Sequence, residues 1–423
     1  MTSGKVQDQQ DRQTVLRSWH RGAIFLLSCA VLITRRPDAI FHAQFWAEDG
    51  HVWFADAYNL GWWTALFRTQ DGYFQTLPRL GAALALLAPI ALAPLVLNLI
   101  AITVQALPVN LLLASRSSAW GSLRFRAFLA CTYLALPNCR EIIAIITSSQ
   151  WILTLCVFLL LVAATPKGTP GRLFDISILL LSGLTGPFCF FLLPIALFLV
   201  WRRGGRWHCT QAGVLAALSL VQAWGLLVVN PSGRAHAMLG ANPALFVRII
   251  AGHVYLASLL GGNGLAANSS PRLLIFLLCA AVGGTVIVAF CFAKSNFNMR
   301  IFVVLSFMFL AASFISPAAY PPPGVSRWQM LAGASGIRYW FFPTLVFAWL
   351  LLRGFQSRTT ALKTASAVLL CIMCFGIIRD WRIPAFKDLN WTEDAKRFEA
   401  APPGTVAIFP ENPEGWDIRL VKR

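Results

Sequence analysis

Apolar runs of membrane-spanning length recur along almost the whole chain. ILTLCVFLLLVAA, LLIFLLCAAVGGTVIVAFCF and IFVVLSFMFLAASFI are examples of them. A helix of about 20 apolar residues can cross a hydrocarbon core of roughly 30 Å. Because 57% of the residues are hydrophobic and only 12% are charged, little sequence remains for a water-soluble domain. The chain is therefore predicted to be an all-α, polytopic transmembrane helical bundle embedded in membrane lipids.

Basic residues lie in short clusters between the apolar runs. They account for the net charge of +18, which taken alone would also suit a protein that binds nucleic acid. Clusters of Lys and Arg beside apolar runs are instead typical of cytoplasmic loops. We therefore expect residues 116–126, 166–172 and 202–206 to face the cytoplasm, and we expect no nucleic-acid partner.

The basic clusters also predict the path of the chain. Keeping them all on the cytoplasmic side requires about eleven spans, beginning with residues 22–34 after a cytoplasmic N-terminus. Residues 35–76 then form the first outer loop, and residues 380–423 form a short tail on the outer face. Everything before that tail, residues 1–379, is predicted to be one transmembrane domain.

Residues 77–92, LPRLGAALALLAPIAL, do not fit this path. A full crossing there would reverse every later loop and place the basic clusters outside. The segment could dip into the membrane from the outer side, or two adjacent half-spans could share one crossing. The sequence leaves both alternatives open.

Acidic residues are concentrated in the first outer loop. QFWAEDGHVWFADAY, residues 44–58, places Glu48, Asp49 and Asp56 among five aromatic side chains. Ionisable groups are costly inside a membrane, so such a group of carboxylates indicates a function. A solvated loop with an aromatic belt is the simpler alternative. The overlapping stretch FADAYNLGWWTALF is predicted to form an amphipathic helix at the membrane surface.

Carboxylates at a membrane surface suit an enzyme with a lipid-linked donor and a polar acceptor. One carboxylate can accept the proton of an acceptor hydroxyl as that hydroxyl attacks the anomeric carbon of a sugar. A polyprenyl phosphate would be the leaving group, and nearby cations could bind it. We expect Asp49 to be the base, because Gly50 allows a sharp turn and Asp is shorter than Glu. Glu48 would then orient the acceptor or pair with an arginine on the outer face.

The motif AEDG, residues 47–50, resembles the acidic motif that GT-C integral-membrane glycosyltransferases carry after their first span. Protein O-mannosyltransferases, oligosaccharyltransferase catalytic subunits and lipid A aminoarabinose transferases belong to that superfamily. Further stretches look like those of uncharacterised bacterial members: GYFQTLPRL, LALPNCREIIAIITSSQW, SGLTGPFCFFLLP, GIRYWFFP and IFPENPEGWDIRL.

The resemblance implies a GT-C-like bundle with interfacial helices in the first outer loop. It also implies that the first-loop acid is a catalytic base or a metal ligand, and that the reaction inverts the anomeric centre. The expected location is the bacterial inner membrane, with the active site facing the periplasm. The chain lacks a large soluble C-terminal domain and the peptide-binding motif of oligosaccharyltransferases, which argues against a protein acceptor and an obligatory metal.

Six further residues are candidates for substrate binding. Arg79 and Arg338 are placed on the outer face, where each could bind the donor phosphate or only anchor its helix at the interface. Glu141 could hydrogen-bond sugar hydroxyls or an arginine, with a local ion pair to Arg140 as the alternative. The other three are Gln150, which could supply an amide, Trp151, which could stack on a sugar, and Tyr339, which begins a span beside Arg338.

Taken together, these features predict a transferase that moves a sugar from a polyprenyl-phosphate donor to a glycan or lipid acceptor at the cell surface. A flippase for a lipid-linked sugar, or a polymerase or ligase of surface polysaccharide, is the alternative. Transporters more often carry internal repeats and charges deep in their spans. We expect no cofactor, because only Glu48, Asp49 and His51 are close enough in sequence to share a metal; a role for a divalent ion is left open.

Overall fold

The computed structural model describes residues 18–229, 237–262, 271–333 and 335–423. About 70% of the structure is helical and it has almost no sheet, which confirms the all-α class. The predicted cytoplasmic N-terminus falls on residues 1–17, which lie outside the described residues.

The α-helices are α1 Ser18–Arg35, α2 Asp38–Phe41, α3 Ala55–Leu60, α4 Trp62–Leu66, α5 Thr76–Ala85, α6 Ala93–Leu113, α7 Leu123–Leu134, α8 Ser149–Val162, α9 Thr169–Gly183, α10 Cys189–Arg203, α11 Arg206–Trp224, α12 Pro243–Arg248, α13 Ala257–Leu260, α14 Pro271–Ala293, α15 Phe297–Ile315, α16 Arg327–Ala332, α17 Phe341–Phe355, α18 Thr360–Arg379 and α19 Trp391–Ala400. The π-helical turns are Asp49–Phe54, Gly225–Val229 and Ile249–Leu256, and the 3₁₀ turns are Ile90–Leu92, Ser115–Trp120 and Ile337–Trp340. The strands are β1 Thr69–Gln70, β2 Tyr73–Phe74, β3 Val406–Glu411 and β4 Trp416–Val421, which pair as two antiparallel hairpins.

Helices long and apolar enough to cross a membrane number six within the described residues. They are Ile90–Leu113, Arg206–Val229, Pro243–Leu260, Leu274–Ala293, Phe297–Ile315 and Thr360–Arg379. Such helices fit a membrane-embedded protein, but a bundle of eleven spans is not confirmed. The other predicted segments do form helices, namely α1, α7, α8, α9, α10 and α17, with lengths of 12 to 18 residues. Most of them are shorter than the roughly 20 residues of a typical span.

Basic loops meet at one end of the bundle. Arg116 forms an ion pair with Asp175, with 2.6 Å between Nη2 and Oδ2, and so joins the loop after α6 to the start of α9. Arg203 donates to the carbonyl of Val162 at 3.1 Å, and Asn296 donates to the carbonyl of Ala119 at 3.0 Å. The three clusters predicted to face the cytoplasm are therefore neighbours, as a common side of the membrane requires.

Residues 77–92 enter and leave the bundle at its opposite end, and their helix α5 has only 10 residues. At about 1.5 Å per residue, that helix is roughly half as long as a membrane is thick. Before it, the amide of Thr76 donates to the carbonyl of Leu184; after it, the amide of Ile90 donates to Glu399 of the C-terminal segment. This geometry agrees with a helix that dips in and returns, which was one of the two alternatives.

The segment Pro243–Leu260 was placed in an outer loop by the basic clusters, yet it is long and apolar enough to span. Its two flanks stay at the same end of the bundle. The carbonyl of Leu239 accepts from the amide of Trp328 at 3.1 Å, and the amide of Gly262 donates to Asp380 at 2.7 Å. Length and hydropathy alone therefore do not establish a crossing here.

The first outer loop folds into several short helices rather than one amphipathic helix. Gly61, with φ of +87°, separates α3 from α4, because its backbone lies in a region that interrupts a helix. The side chains of Trp62, Trp63 and Phe67 are exposed after this break. They form an exposed aromatic surface, and its place at the membrane interface stays a prediction.

The last forty residues are a folded unit rather than a simple tail. Helix α19 and the β3–β4 hairpin pack on the first outer loop and share a second hydrophobic core with it. In that core the ring of Trp391 lies 4.8 Å from Phe45 and 5.5 Å from Phe409, measured between centroids. The first loop and the C-terminal segment, far apart in sequence, thus form one layer over the bundle.

We expect the basic end to be cytoplasmic and the layered end to be outside. In intact spheroplasts, a cysteine introduced by Glu414→Cys, at the exposed turn of the β3–β4 hairpin, should react with a membrane-impermeant maleimide. A cysteine from Arg358→Cys, exposed between α17 and α18, should react only after permeabilisation. The wild-type protein gives the background from native cysteines. The opposite labelling pattern would invert the predicted orientation.

Candidate functional site

A cavity of about 900 Å³ opens beneath the layer formed by the first loop and the C-terminal hairpin. Its wall has a polar part and an apolar part. The polar part includes Glu48, Gln70, Asp71, Tyr73, Gln75, Glu141, Thr147, Gln150, Arg327 and Arg338. The apolar part includes Phe188, Phe190, Phe191, Leu226, Phe309, Ala312, Ile315, Met330 and Leu331. The cavity can therefore hold a molecule with a polar head and an apolar chain.

Glu48 is half-buried at the polar part of the cavity wall. The cavity's other carboxylates have partners: Asp71 accepts from the hydroxyl of Tyr320 at 2.6 Å, and Glu141 pairs with Arg338. Within the described residues, no other residue donates a hydrogen bond to the Glu48 carboxylate or pairs with it. Burial raises the pKa of Glu48, while the positive charge of Arg338 opposes that rise. Glu48 is thus available to a bound molecule and is a stronger base than an ordinary carboxylate.

Asp49, predicted to be the base, is directed away from the cavity wall. Only 2% of its surface is exposed, and its Oδ1 accepts from the hydroxyl of Thr147 at 2.5 Å and from the amide at 3.2 Å. Burial raises the pKa of Asp49 to about 7, although the Thr147 hydrogen bonds lower it. Ala47 has a φ of +50° and a π-helical turn begins at Asp49, so the two adjacent acids diverge. Of the two adjacent acids, Glu48 lines the cavity and Asp49 does not.

Glu411 of strand β3 holds the acidic turn from the other side. Its Oε1 accepts from the amide of Gly50 and its Oε2 accepts from the amide of His51, both at 2.9 Å. Burial raises the pKa of Glu411 well above its ordinary value, and these hydrogen bonds lower it again. The sequence analysis missed this residue, because nothing local in IFPENPEGWDIRL indicates a contact with residues 361 positions away.

Glu141 fixes the segment that carries Arg338. The carboxylate accepts from the amide of Gly336 at 3.1 Å and from the amide and guanidinium of Arg338, each at 3.4 Å. Its ion pair is therefore with Arg338 and not with Arg140. Burial disfavours the charge of Arg338, but the acidic groups of Tyr339 and Glu141 outweigh it and raise the pKa of Arg338. Arg338 is a permanent cation on the cavity wall.

The cavity is also lined by three residues predicted to bind substrate, namely Gln150, Trp151 and Tyr339. Gln150 accepts from the side chain of Gln75 at 3.5 Å. The ring of Trp151 lies among aromatic rings, 4.6 Å from Phe188 and 5.8 Å from Tyr339, and its indole N–H has no hydrogen-bond partner within the described residues. These residues join the polar part of the cavity to its apolar part.

Arg79, the other predicted phosphate ligand, is not among the residues that line the cavity. It is 1% exposed, its Nη1 lies 3.0 Å from Oδ2 of Asp56, and its guanidinium lies 5.0 Å from the ring of Trp53. Arg79 is therefore buried against the first loop, where it pairs with Asp56 and packs on Trp53. The cation that lines the cavity in its place is Arg327, which the sequence analysis did not single out.

No group of three or more His, Cys, Asp or Glu side chains in the described ranges could hold a metal ion. His51 contacts the carbonyl of Asp417 rather than joining the acids.

Replacing Glu411 should loosen the layer over the cavity. Glu411→Ala leaves the amides of Gly50 and His51 without acceptors, and a buried unpaired N–H costs about 1–3 kcal/mol. The midpoint of thermal unfolding of the purified protein should fall by several degrees. Glu414→Ala, which removes an exposed carboxylate from the same hairpin, should leave the midpoint unchanged. Equal midpoints for Glu411→Ala and the wild type would contradict the role of this contact.

No protein-family model matches this chain, and no curated protein matches it. The resemblance to GT-C enzymes therefore stays a prediction from short motifs. Any functional conclusion depends on the chemistry of the cavity.

Proposed function

We propose that the protein is a membrane glycosyltransferase that moves a sugar from a polyprenyl-phosphate donor to a glycan or lipid acceptor. The observation that carries this proposal is the two-part cavity of about 900 Å³. That volume lies in the range of small-molecule sites, roughly 300–1,000 Å³. A lipid-linked sugar has the matching chemistry, with a polar sugar phosphate at one end and an apolar chain at the other.

Glu48 is proposed to be the general base. As the acceptor hydroxyl attacks the anomeric carbon, its proton passes to the Glu48 carboxylate and a new carbon–oxygen bond forms. The bond between the anomeric carbon and the phosphate oxygen breaks on the opposite face, so the configuration inverts. The raised pKa of Glu48 favours this proton transfer, because a more basic carboxylate accepts a proton more readily.

Arg338 is proposed to hold the phosphate as it leaves. A guanidinium offers two parallel N–H donors to phosphate oxygens and neutralises the negative charge that develops there. The hydrogen bonds from Gly336 and Arg338 to Glu141 keep this segment in place. Arg327 lines the same cavity and adds positive charge.

The setting proposed for this reaction is the outer side of the bacterial inner membrane. About eleven spans and a cytoplasmic N-terminus would place the cavity towards the periplasm. Polyprenyl-linked donors presented there could enter the apolar part of the cavity from the bilayer. The acceptor hydroxyl would enter from the aqueous side, past the first loop.

The base assignment is tested by sugar transfer from a panel of polyprenyl-phosphate sugars to added acceptors. Glu48→Gln keeps size and polarity but cannot accept the proton, so the rate should fall by about 10²–10⁴-fold. Asp49→Asn keeps the acceptor oxygen for Thr147 and should retain most of the rate. Glu414→Gln is the matched control. Loss of transfer in Asp49→Asn alone would assign the base to Asp49 instead of Glu48. Unaffected transfer in both variants would refute the mechanism. A flippase would lose no transport in Glu48→Gln.

Donor binding tests the second assignment. Arg338→Ala should weaken binding of the polyprenyl-phosphate sugar by about tenfold or more, since a charged hydrogen bond contributes roughly 1.5–3 kcal/mol. Arg338→Lys should recover only part of this affinity, because the two-point contact is lost. Arg358→Ala removes an exposed arginine at the other end of the bundle and should have no effect. Unchanged donor affinity in Arg338→Ala would remove Arg338 from the site.

A further inference from the structure

A second, smaller pocket lies beside the cavity and is lined by arginines. Its ionisable lining comprises Arg35, Arg140, Arg379, Arg382 and Asp380, with Cys139 as a neutral neighbour. Four cations against one carboxylate leave a net charge of +3. We refer to it as the basic pocket. Its volume of about 30 Å³ admits small oxygen-bearing groups but no sugar ring.

Arg35 is the buried cation of this pocket. It is 1% exposed, and its guanidinium donates to the carbonyls of Leu134 and Leu136 at 2.8 and 2.9 Å. These carbonyls lie at the end of α7, where the helix dipole supplies only about half a negative charge. Its Nε has no hydrogen-bond partner, and Arg35 forms no ion pair within the described residues. A buried cation with incomplete compensation is costly unless an anion completes it.

The carboxylate of the pocket is already occupied by backbone groups. Oδ2 of Asp380 accepts from the amide of Asn138 at 2.9 Å and from the amide of Gly262 at 2.7 Å. Arg36 adds another buried cation next to Arg35, bonded to the carbonyl of Ile143 and with an unpartnered Nε. Asp380 is one carboxylate among four arginines of the lining, so it offsets only part of the local positive charge.

The place of the basic pocket in the fold points to the kind of anion. Arg35 ends α1 and Arg379 ends α18, one of the helices able to span a membrane. The ends of such helices lie at the level of lipid headgroups. Only 17% of the apolar stretch of α18 is buried inside the protein, so lipids can approach along this helix. Arg382 is exposed at the mouth of the pocket.

We propose that the basic pocket binds a phosphate group, most naturally the phosphodiester of an anionic lipid headgroup. The phosphate oxygens would contact Arg382 and the outer surface of the pocket, with Arg35 supplying positive charge from beneath. This site is separate from the cavity and from the proposed donor phosphate at Arg338. It is independent of sugar transfer, so its failure would leave the proposed function untouched.

Binding of short-chain phosphatidylglycerol to the purified protein, measured by native mass spectrometry, tests the site. Arg382→Ala should weaken binding roughly fivefold, the effect of one cation at a membrane surface. Arg358→Ala, the loss of an equally exposed arginine at the opposite end, should leave binding unchanged. Because Arg382 is exposed, its replacement should not alter the midpoint of thermal unfolding. Arg382→Glu should weaken binding further.

Competition with inorganic phosphate distinguishes a site for free phosphate from a site for a lipid headgroup. Competition by millimolar phosphate that depends on Arg382 would support the site and show that phosphate alone is recognised. Binding of phosphatidylglycerol without such competition would support a lipid headgroup held also by its chains. Equal lipid and phosphate affinity in the wild type and Arg382→Ala, or equal weakening by Arg358→Ala, would overturn the proposal.

Discussion

The contact between Glu411 and the backbone of the acidic turn joins the two ends of the chain. One carboxylate accepts from the amides of Gly50 and His51, and it leaves no room for a side chain at position 50. A Cβ there would lie 2.5 Å from Cδ1 of Ile418 and 2.7 Å from Oε1 of Glu411. A side chain at position 50 would thus push away the ends of Ile418 and Glu411, and moving Glu411 would disturb its hydrogen bonds to the turn. The hairpin thereby holds the turn that presents Glu48.

This arrangement brings three carboxylates together and gives each a different environment. Glu411 is bonded to backbone amides, Asp49 to Thr147, and Glu48 faces the cavity. Burial raises the pKa of all three carboxyl groups, and nearby negative charges raise each pKa further: Glu48 for Asp49, Asp49 and Glu48 for Glu411, and Asp71 and Glu141 for Glu48. Because the first two are buried and hydrogen-bonded within the protein, the basicity created by the cluster is accessible to a ligand mainly through Glu48.

The sequence predicted the helices and the grouping of the basic loops, but it did not predict the directions in which individual side chains point. Apolar runs predicted the helices, and the basic loops do meet at one end. Which of two adjacent acids faces the cavity depended on a π-helical turn and on φ at Ala47, neither of which has a local signature. Arg79 was placed by a pairing with Asp56 that only the tertiary fold creates. The count of eleven spans is not confirmed, because helices such as α8 are short and wholly buried and hydropathy does not distinguish a lipid-facing helix from a core helix.

The cavity and the basic pocket share two segments of backbone. In the first segment, Arg140 lines the basic pocket and its neighbour Glu141 lines the cavity. In the second segment, Ile337 lines the basic pocket and its neighbour Arg338 lines the cavity. Glu141 bonds directly to the segment of Arg338, so the two segments are joined between the sites. The carboxylate of Glu141 forms an ion pair with Arg338 at this junction and offsets part of the positive charge of the two sites.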